Sequence, residues 1–296
     1  MNPSHPSELL IRQRLASLTR VLPSARSGDV TAIHQARVAT RRLRAALPIV
    51  SGGAKGRKLT KAISRVTRAL GLVHEIDGAI LNVDELAANV SVAAEGMGLL
   101  RTILEDERQR LCADMVRQID RTDLERVERK ALAAARRLHA GGEDAPTESK
   151  RLREVSKSAA RRAVALQAAI ENAGGIYLPD RLHQVRIAVK KLRYVLEISK
   201  ELNRSRASAR LRTLKSVQDL LGRMHDLEVL IMRIRALQGS DRAPALTVSA
   251  DLDRLVRHLE TECRQLHVRY MEFKKKLLEL CDHVTAADER WPASAA

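Results

Sequence analysis

Two stretches of the chain set basic residues and a histidine at helical spacing, a pattern suited to holding an anion. The run from His34 to Arg44, His-Gln-Ala-Arg-Val-Ala-Thr-Arg-Arg-Leu-Arg, returns from His183 to Arg193 as His-Gln-Val-Arg-Ile-Ala-Val-Lys-Lys-Leu-Arg. At about 100° per residue, His34, Arg37, Arg41 and Arg44 fall within a stripe roughly 80° wide. Ala36, Ala39, Thr40, Leu43, Ala46, Leu47 and Val50 fall opposite it, so one face packs and the other is cationic. The second copy sets His183, Arg186, Lys190 and Arg193 against Val185, Ala188, Val189, Leu192, Val195 and Leu196. Arg42 and Lys191 lie at about 80° on the same wheel, off the main stripe.

Such a stripe suits phosphate. Guanidinium offers paired donors and stays charged, and four cations stepping by three, four and three residues span about 15 Å along a helix. A linear phosphate polymer matches that repetition, whereas one orthophosphate engages only one or two members. The alternative is a solvated helix face. Acidic residues are nearly absent from both motifs, whereas a merely solvated face usually mixes signs, and the repetition within one chain favours a ligand.

His34 and His183 open their stripes and read as anion donors: neutral donors, or cations once a phosphate is near. No Asp or Ser stands at a fixed spacing from them to suggest nucleophilic chemistry. His74 with Glu75 and Asp77, and His225 with Asp226 and Glu228, lack the i, i+4 spacing that converges on one ion, so they read as salt-bridge or packing residues. Gly71 and Gly222, just upstream, read as points of close helix approach. The run from Gly52 to Lys58 has no phosphate-loop register and reads as a helix-helix turn. The chain is therefore expected to need neither metal nor cofactor.

The elements that must carry these stripes are helices. Apolar residues recur at three and four, Pro is scarce, and no strand pattern is evident. A first helix is expected over 7–22, with Arg12, Arg14 and Arg20 on its polar side and an end at Pro23 and Gly28. The motif helix follows, capped by Asp29 or Thr31, running to about Val50. A third helix over 57–89 carries a second stripe of Lys58, Lys61, Arg65 and Arg68. A long helical region over 97–138 is broken by a capping box of Thr122 and Glu125. After a linker near His139 the order restarts at about 148, with Asp180 behind Pro179 capping the second motif. Helices over 205–237 and from about 250 complete it. Leu70-Gly71 and Leu221-Gly222 open matching segments 151 residues apart, so the repeat is longer than one motif. The expected architecture is all-α, two pseudo-symmetric four-helix bundles from an internal duplication, over 7–140 and 148–284, with a loose tail over 285–296.

The 53 Lys+Arg against 36 Asp+Glu give a net charge of +17, so the partner is polyanionic. Five aromatic residues, one Phe, one Trp and three Tyr, leave little for base stacking on single-stranded nucleic acid; duplex binding through phosphates stays open. Cys112, Cys263 and Cys281 are too few and too scattered for a disulfide framework. No run approaches a membrane span and no leader pattern is seen, so a soluble cytoplasmic protein is expected.

The motif His-x-x-Arg-x-x-x-Arg-Arg-Leu-Arg, the downstream Leu-Gly-x-x-x-Asp/Glu-x-Asp/Glu segment and the second copy of both resemble the conserved-histidine α-helical domain, CHAD. The resemblance covers about residues 7–283. It implies two pseudo-symmetric four-helix bundles, a basic surface or channel for inorganic polyphosphate, and association with polyphosphate granules. By motif position, His34, Arg37, Arg41, Arg42, Arg44, His183, Arg186, Lys190, Lys191 and Arg193 would face the ligand; Lys61, Arg65 and Arg212 are added as further contacts. Lys190 and Lys191 stand where the family favours arginine, and His74 and His225 where Arg is common, so no ligand contact is assigned to these two histidines. The alternating Glu-x-Glu-x-Lys signature of the triphosphate-tunnel domain found in many relatives does not occur. The expected function is non-enzymatic polyphosphate binding. The alternatives are non-specific duplex DNA or RNA binding, and a phosphatase or phosphotransferase using His34 or His183, with or without a metal.

Overall fold

A computed structural model describes residues 6–51, 53–89, 93–137, 148–203, 208–241 and 243–289. Among these residues the fold is entirely α-helical: α1 (Pro6–Arg26), α2 (Val30–Ser51), α3 (Gly53–Asn89), α4 (Ala94–Asp120), α5 (Leu124–Arg137), α6 (Glu148–Ala173), α7 (Pro179–Asn203), α8 (Ser208–Gln238) and α9 (Leu246–Glu289). No described helix is long and apolar enough to cross a membrane.

Local chemistry sets the boundaries. Asp29 caps α2, its Oδ1 accepting from the Ala32 amide at 2.6 Å. Gly28 precedes it with φ 88°, and Gly174 before α7 has φ 64°, a conformation that costs glycine little. Pro179 takes the first position of α7, where its missing N–H is no loss, and Asp180 sits within the first turn rather than at the cap. The expected break between α4 and α5 is present, but its cap is Asp123, which accepts from the Arg126 amide at 2.8 Å. The Thr122 hydroxyl instead donates back to Gln118. Pro23 does not stop α1, which continues to Arg26. α9 runs through 285–289, so the tail is helical that far; 290–296 and the linker near His139 lie outside the described residues.

In the second half α6 packs on both α7 and α9, and α7 on α8, closing a four-helix ring. In the first half α1 to α4 pack in sequence, and α5 lies against α1, α2 and α3. The apolar faces read from the motifs are buried: Ala36, Leu43, Leu47, Val185, Val189 and Leu192 are all 0% exposed. The halves meet where α2 faces α7, α3 faces α8 and α4 faces α9. At the last of these a Cβ on Gly96 would fall 2.8 Å from the Leu252 side chain.

Ion pairs tie the halves together. Arg14, assigned by spacing to the polar side of α1, is buried; it pairs with Glu201 of α7 at 3.0 Å and also donates to the Arg42 carbonyl. Arg42 itself approaches Glu197 of α7 at 3.6 Å. Arg223 of α8 holds Glu85 and Asn82 of α3, both at 3.0 Å, and Arg233 pairs with Glu107 of α4.

Candidate functional site

The two motif helices face one another. Between them, roofed by α3 and α8, is a cleft of about 420 Å³. α2 supplies Arg37, Arg41 and Arg44, and α7 supplies His183, Arg186, Lys190, Lys191 and Tyr194. From α3 come His74, Glu75 and Asn82, and from α8 His225 and Asp226. Six Lys and Arg side chains thus share the lining with two carboxylates, a positive excess in a partly dry space where charges act strongly on each other.

One acidic side chain in each half anchors the turn that leads into its motif helix. Asp77, 3% exposed, binds Arg108 at 2.5 Å, and Arg108 also donates to the Gly28 carbonyl at 2.7 Å. Glu228 accepts from the Tyr177 hydroxyl at 2.7 Å, two residues before Pro179. Asp77 and Glu228 are the last acidic positions of the matching Leu-Gly segments. They fix α3 against the start of α2 and α8 against the start of α7.

That fixing brings histidines into pairs. The rings of His34 and His74 lie 4.9 Å apart, and those of His183 and His225 4.6 Å apart. His183 Nδ1 and His225 Nδ1 are 3.3 Å apart, so one proton can bridge them but two cannot fit between. Burial, with the Arg37 and His34 charges, pushes His74 down to about 4. Burial, with Arg186 and His183, pushes His225 down to about 3. His183 is lowered in the same way, by burial and then by Arg186.

The cations are crowded too. Burial and the neighbouring Arg41 and Arg186 lower Arg37 to about 10. Burial comes first for Arg186 as well, with Asp226 opposing it and Arg41 adding repulsion. Lys190 is the extreme case: 9% exposed, it is pushed down to about 6 by burial and then by Arg186, Arg41 and Arg37. The Nε atoms of Arg37 and Arg186 are buried and meet no acceptor among the described residues. Arg37 lies over Gly71, where a Cβ would stand 3.5 Å from its Nε. Gly71 therefore receives a side chain rather than a helix backbone, and Gly222 has nothing within 4 Å of the corresponding point. Neither glycine marks a helix crossing.

Of the residues singled out by sequence, Arg37, Arg41, Arg44, His183, Arg186, Lys190 and Lys191 meet in the cleft. His34 reaches it through His74, and with Arg42 it lines a separate groove beside Arg14 and Glu201. Arg193 approaches Glu197 at 3.4 Å, with its Cζ 5.1 Å from the Tyr194 ring centroid. Arg65 lines a groove between α3 and α4 with Arg68, Arg117 and Arg121. Arg212 lines another with Arg210, Lys276 and His283. Lys61 is exposed on α3, about 20 Å along the helix from Glu75 at 1.5 Å per residue.

His74 and His225 line the cleft although sequence assigns them no ligand contact. Tyr194 gives no signal in the sequence because its counterpart in the first motif is Ala45. Glu75 and Asp226 are visible there only as members of acidic clusters. Among the described residues no group of three or more His, Cys, Asp and Glu is placed to hold a metal ion.

A family model described as the CHAD domain matches residues 9–235. Two solved structures share the fold. The crystal structure of the CHAD domain from the plant Ricinus communis is 20% identical, with 97% of this chain and 92% of that chain covered and a TM-score of 0.59. PptA from Streptomyces chartreusis is 17% identical, with 96% of this chain and 98% of that chain covered and a TM-score of 0.61. No curated protein matches the chain.

Proposed function

The chain belongs to the CHAD-domain family, and on that premise we propose that it binds inorganic polyphosphate in the cleft between its two motif helices, without turning it over, at polyphosphate granules. The observation that carries this reading is the convergence of Arg37, Arg41 and Arg44 of α2 with Arg186, Lys190 and Lys191 of α7 on one space. Each half alone contributes a single cationic wall to this space. Facing each other, the stripes form a two-walled slot whose donors repeat along its length, which suits a slim polyanion with a repeating charge. Entering phosphates replace repulsion among these cations by attraction to a shared anion, so the crowding that lowers Arg37 and Lys190 favours the ligand.

The same dimensions argue against duplex nucleic acid. A space of about 420 Å³ takes a few phosphate units, while a duplex would be confined to outer basic faces such as that of Arg65 and Arg68. Filter retention of long-chain polyphosphate at low salt tests the assignment, with affinity falling steeply as salt rises. Undetectable binding at low salt would sink it. Displacement of the polymer by duplex DNA at equal phosphate concentration would remove its specificity. Phosphate release from the polymer, measured with and without added divalent ions, would favour the enzyme reading over binding alone.

A further inference from the structure

Lys190 is the one lysine buried in the cleft, and no ion pair among the described residues neutralises it. The groups that face it come from four helices. α2 presents Arg37 and Arg41, with Arg44 further along, and α7 presents its own Arg186, with His183 and Lys191; α3 presents His74 and Glu75, and α8 presents His225 and Asp226. α1 and α6 also pack on α7 but put no charged residue into the cleft. Three guanidiniums that cannot give up their charge thus surround one amine that can, and Asp226 only partly offsets them. The histidine pairs form the next layer: His183 Nδ1 is 3.3 Å from His225 Nδ1, so that pair carries at most one bridging proton.

We propose that the cleft takes up polyanion and protons together, Lys190 becoming an ammonium as phosphate enters and the His183–His225 pair following at lower pH. This rests on the polyphosphate reading above and adds a regulatory property to it. The protein's own charges favour the neutral amine near pH 7, since the Lys190 amine sits at about 6. A phosphate held between Arg37, Arg186 and Lys190 reverses the sign of the local field and favours the ammonium. By linkage, a ligand that raises the proton affinity of Lys190 binds more tightly where protons are plentiful. Affinity should then fall as pH rises, by up to about tenfold per pH unit for one coupled proton. A cleft walled only by arginine would show no such slope.

The test is calorimetric titration of long-chain polyphosphate at pH 7.5 in two buffers of different ionisation enthalpy, with the wild type, Lys190→Arg and Lys190→Met. Long chains are used because their titrating groups are confined to the two ends. Expected for the wild type is uptake of about one proton per site and a Kd that rises between pH 6.5 and 8. Lys190→Arg, charged throughout, should bind without uptake and with a nearly flat pH profile; Lys190→Met should lose the uptake. Equal heats in both buffers for the wild type overturn the proposal even if both variants misfold. Uptake that persists in Lys190→Arg overturns the role of Lys190. Absence of binding by filter retention at any pH overturns the polyphosphate reading itself, which separates the two failures.

Discussion

Arg41 of α2 lies over the ring of Tyr194 of α7, its Cζ 5.1 Å from the ring centroid. Arg193 stands at the same distance from that ring, so one aromatic side chain holds a guanidinium from each half. Cation–π contacts of this kind contribute about 0.5–2 kcal/mol, more when desolvated, and Tyr194 is only 9% exposed. The tyrosine orders the Arg41 side chain at the rim of the cleft.

Tyr194→Phe should therefore retain polyphosphate affinity, because the π face persists, whereas Tyr194→Leu should weaken it by roughly threefold to tenfold. Titrations of both variants beside the wild type check this. Equal losses in both would point to the hydroxyl or to general packing instead.

Arg14 is expected to matter for stability and not for ligand. Its guanidinium is buried against Glu201 and the Arg42 carbonyl, outside the cleft. Arg14→Ala leaves those groups unpaired and a hole beneath α1, at a cost of about 2–4 kcal/mol. Urea denaturation measures that loss, and polyphosphate affinity of the folded variant should be unchanged. A loss below about 0.5 kcal/mol, the range of an ordinary surface change, would mean the pairing contributes nothing.

The crowded cations make the stability of the protein alone depend on pH in a defined direction. Lys190 sits at about 6 in the fold against about 10.4 in an unfolded chain. Between those values the unfolded chain binds more protons, so stability rises with pH and is lost as pH falls toward 6. His74 at about 4 and His225 at about 3 extend the loss below the ordinary histidine value with the same sign. Thermal melts from pH 8.5 to 5.5 should show a declining Tm, and Lys190→Met should flatten the decline above pH 6.5. An unchanged slope in the variant would place the titrating group elsewhere.

Much of this molecule is legible from periodicity. The three-and-four spacing of Leu43, Leu47, Val189 and Leu192 marks faces that are buried, and of the basic stripes opposite them all but His34 and Arg193 line the cleft. Helix ends are harder to read, because Asp123 and Thr122 are both good caps and the choice depends on where α4 stops hydrogen bonding. The meeting of the halves leaves no periodic trace. It rests on single pairs such as Arg14 with Glu201 and Arg223 with Glu85, separated by 187 and 138 residues. Arg14 sits on the buried stripe of Leu10, Ile11, Leu15 and Leu18, but a charged side chain there reads as surface until its partner is known. The histidine pairs are hidden for the same reason: His74 and His34 are 4.9 Å apart only because α3 folds back along α2.

That both halves build one anion site is tested most directly by salt-dependent titration of long-chain polyphosphate against Arg37→Ala, Arg186→Ala and the double variant. Each single change should weaken binding and shallow the salt slope by about 0.7–0.9 for each phosphate no longer neutralised. The double variant should bind at least about tenfold more weakly than the wild type, with one class of site throughout and a melting temperature no lower, since repulsion between Arg37 and Arg186 has been relieved. Two independent binding phases, each removed by one substitution, or wild-type affinity in the double variant, would contradict it.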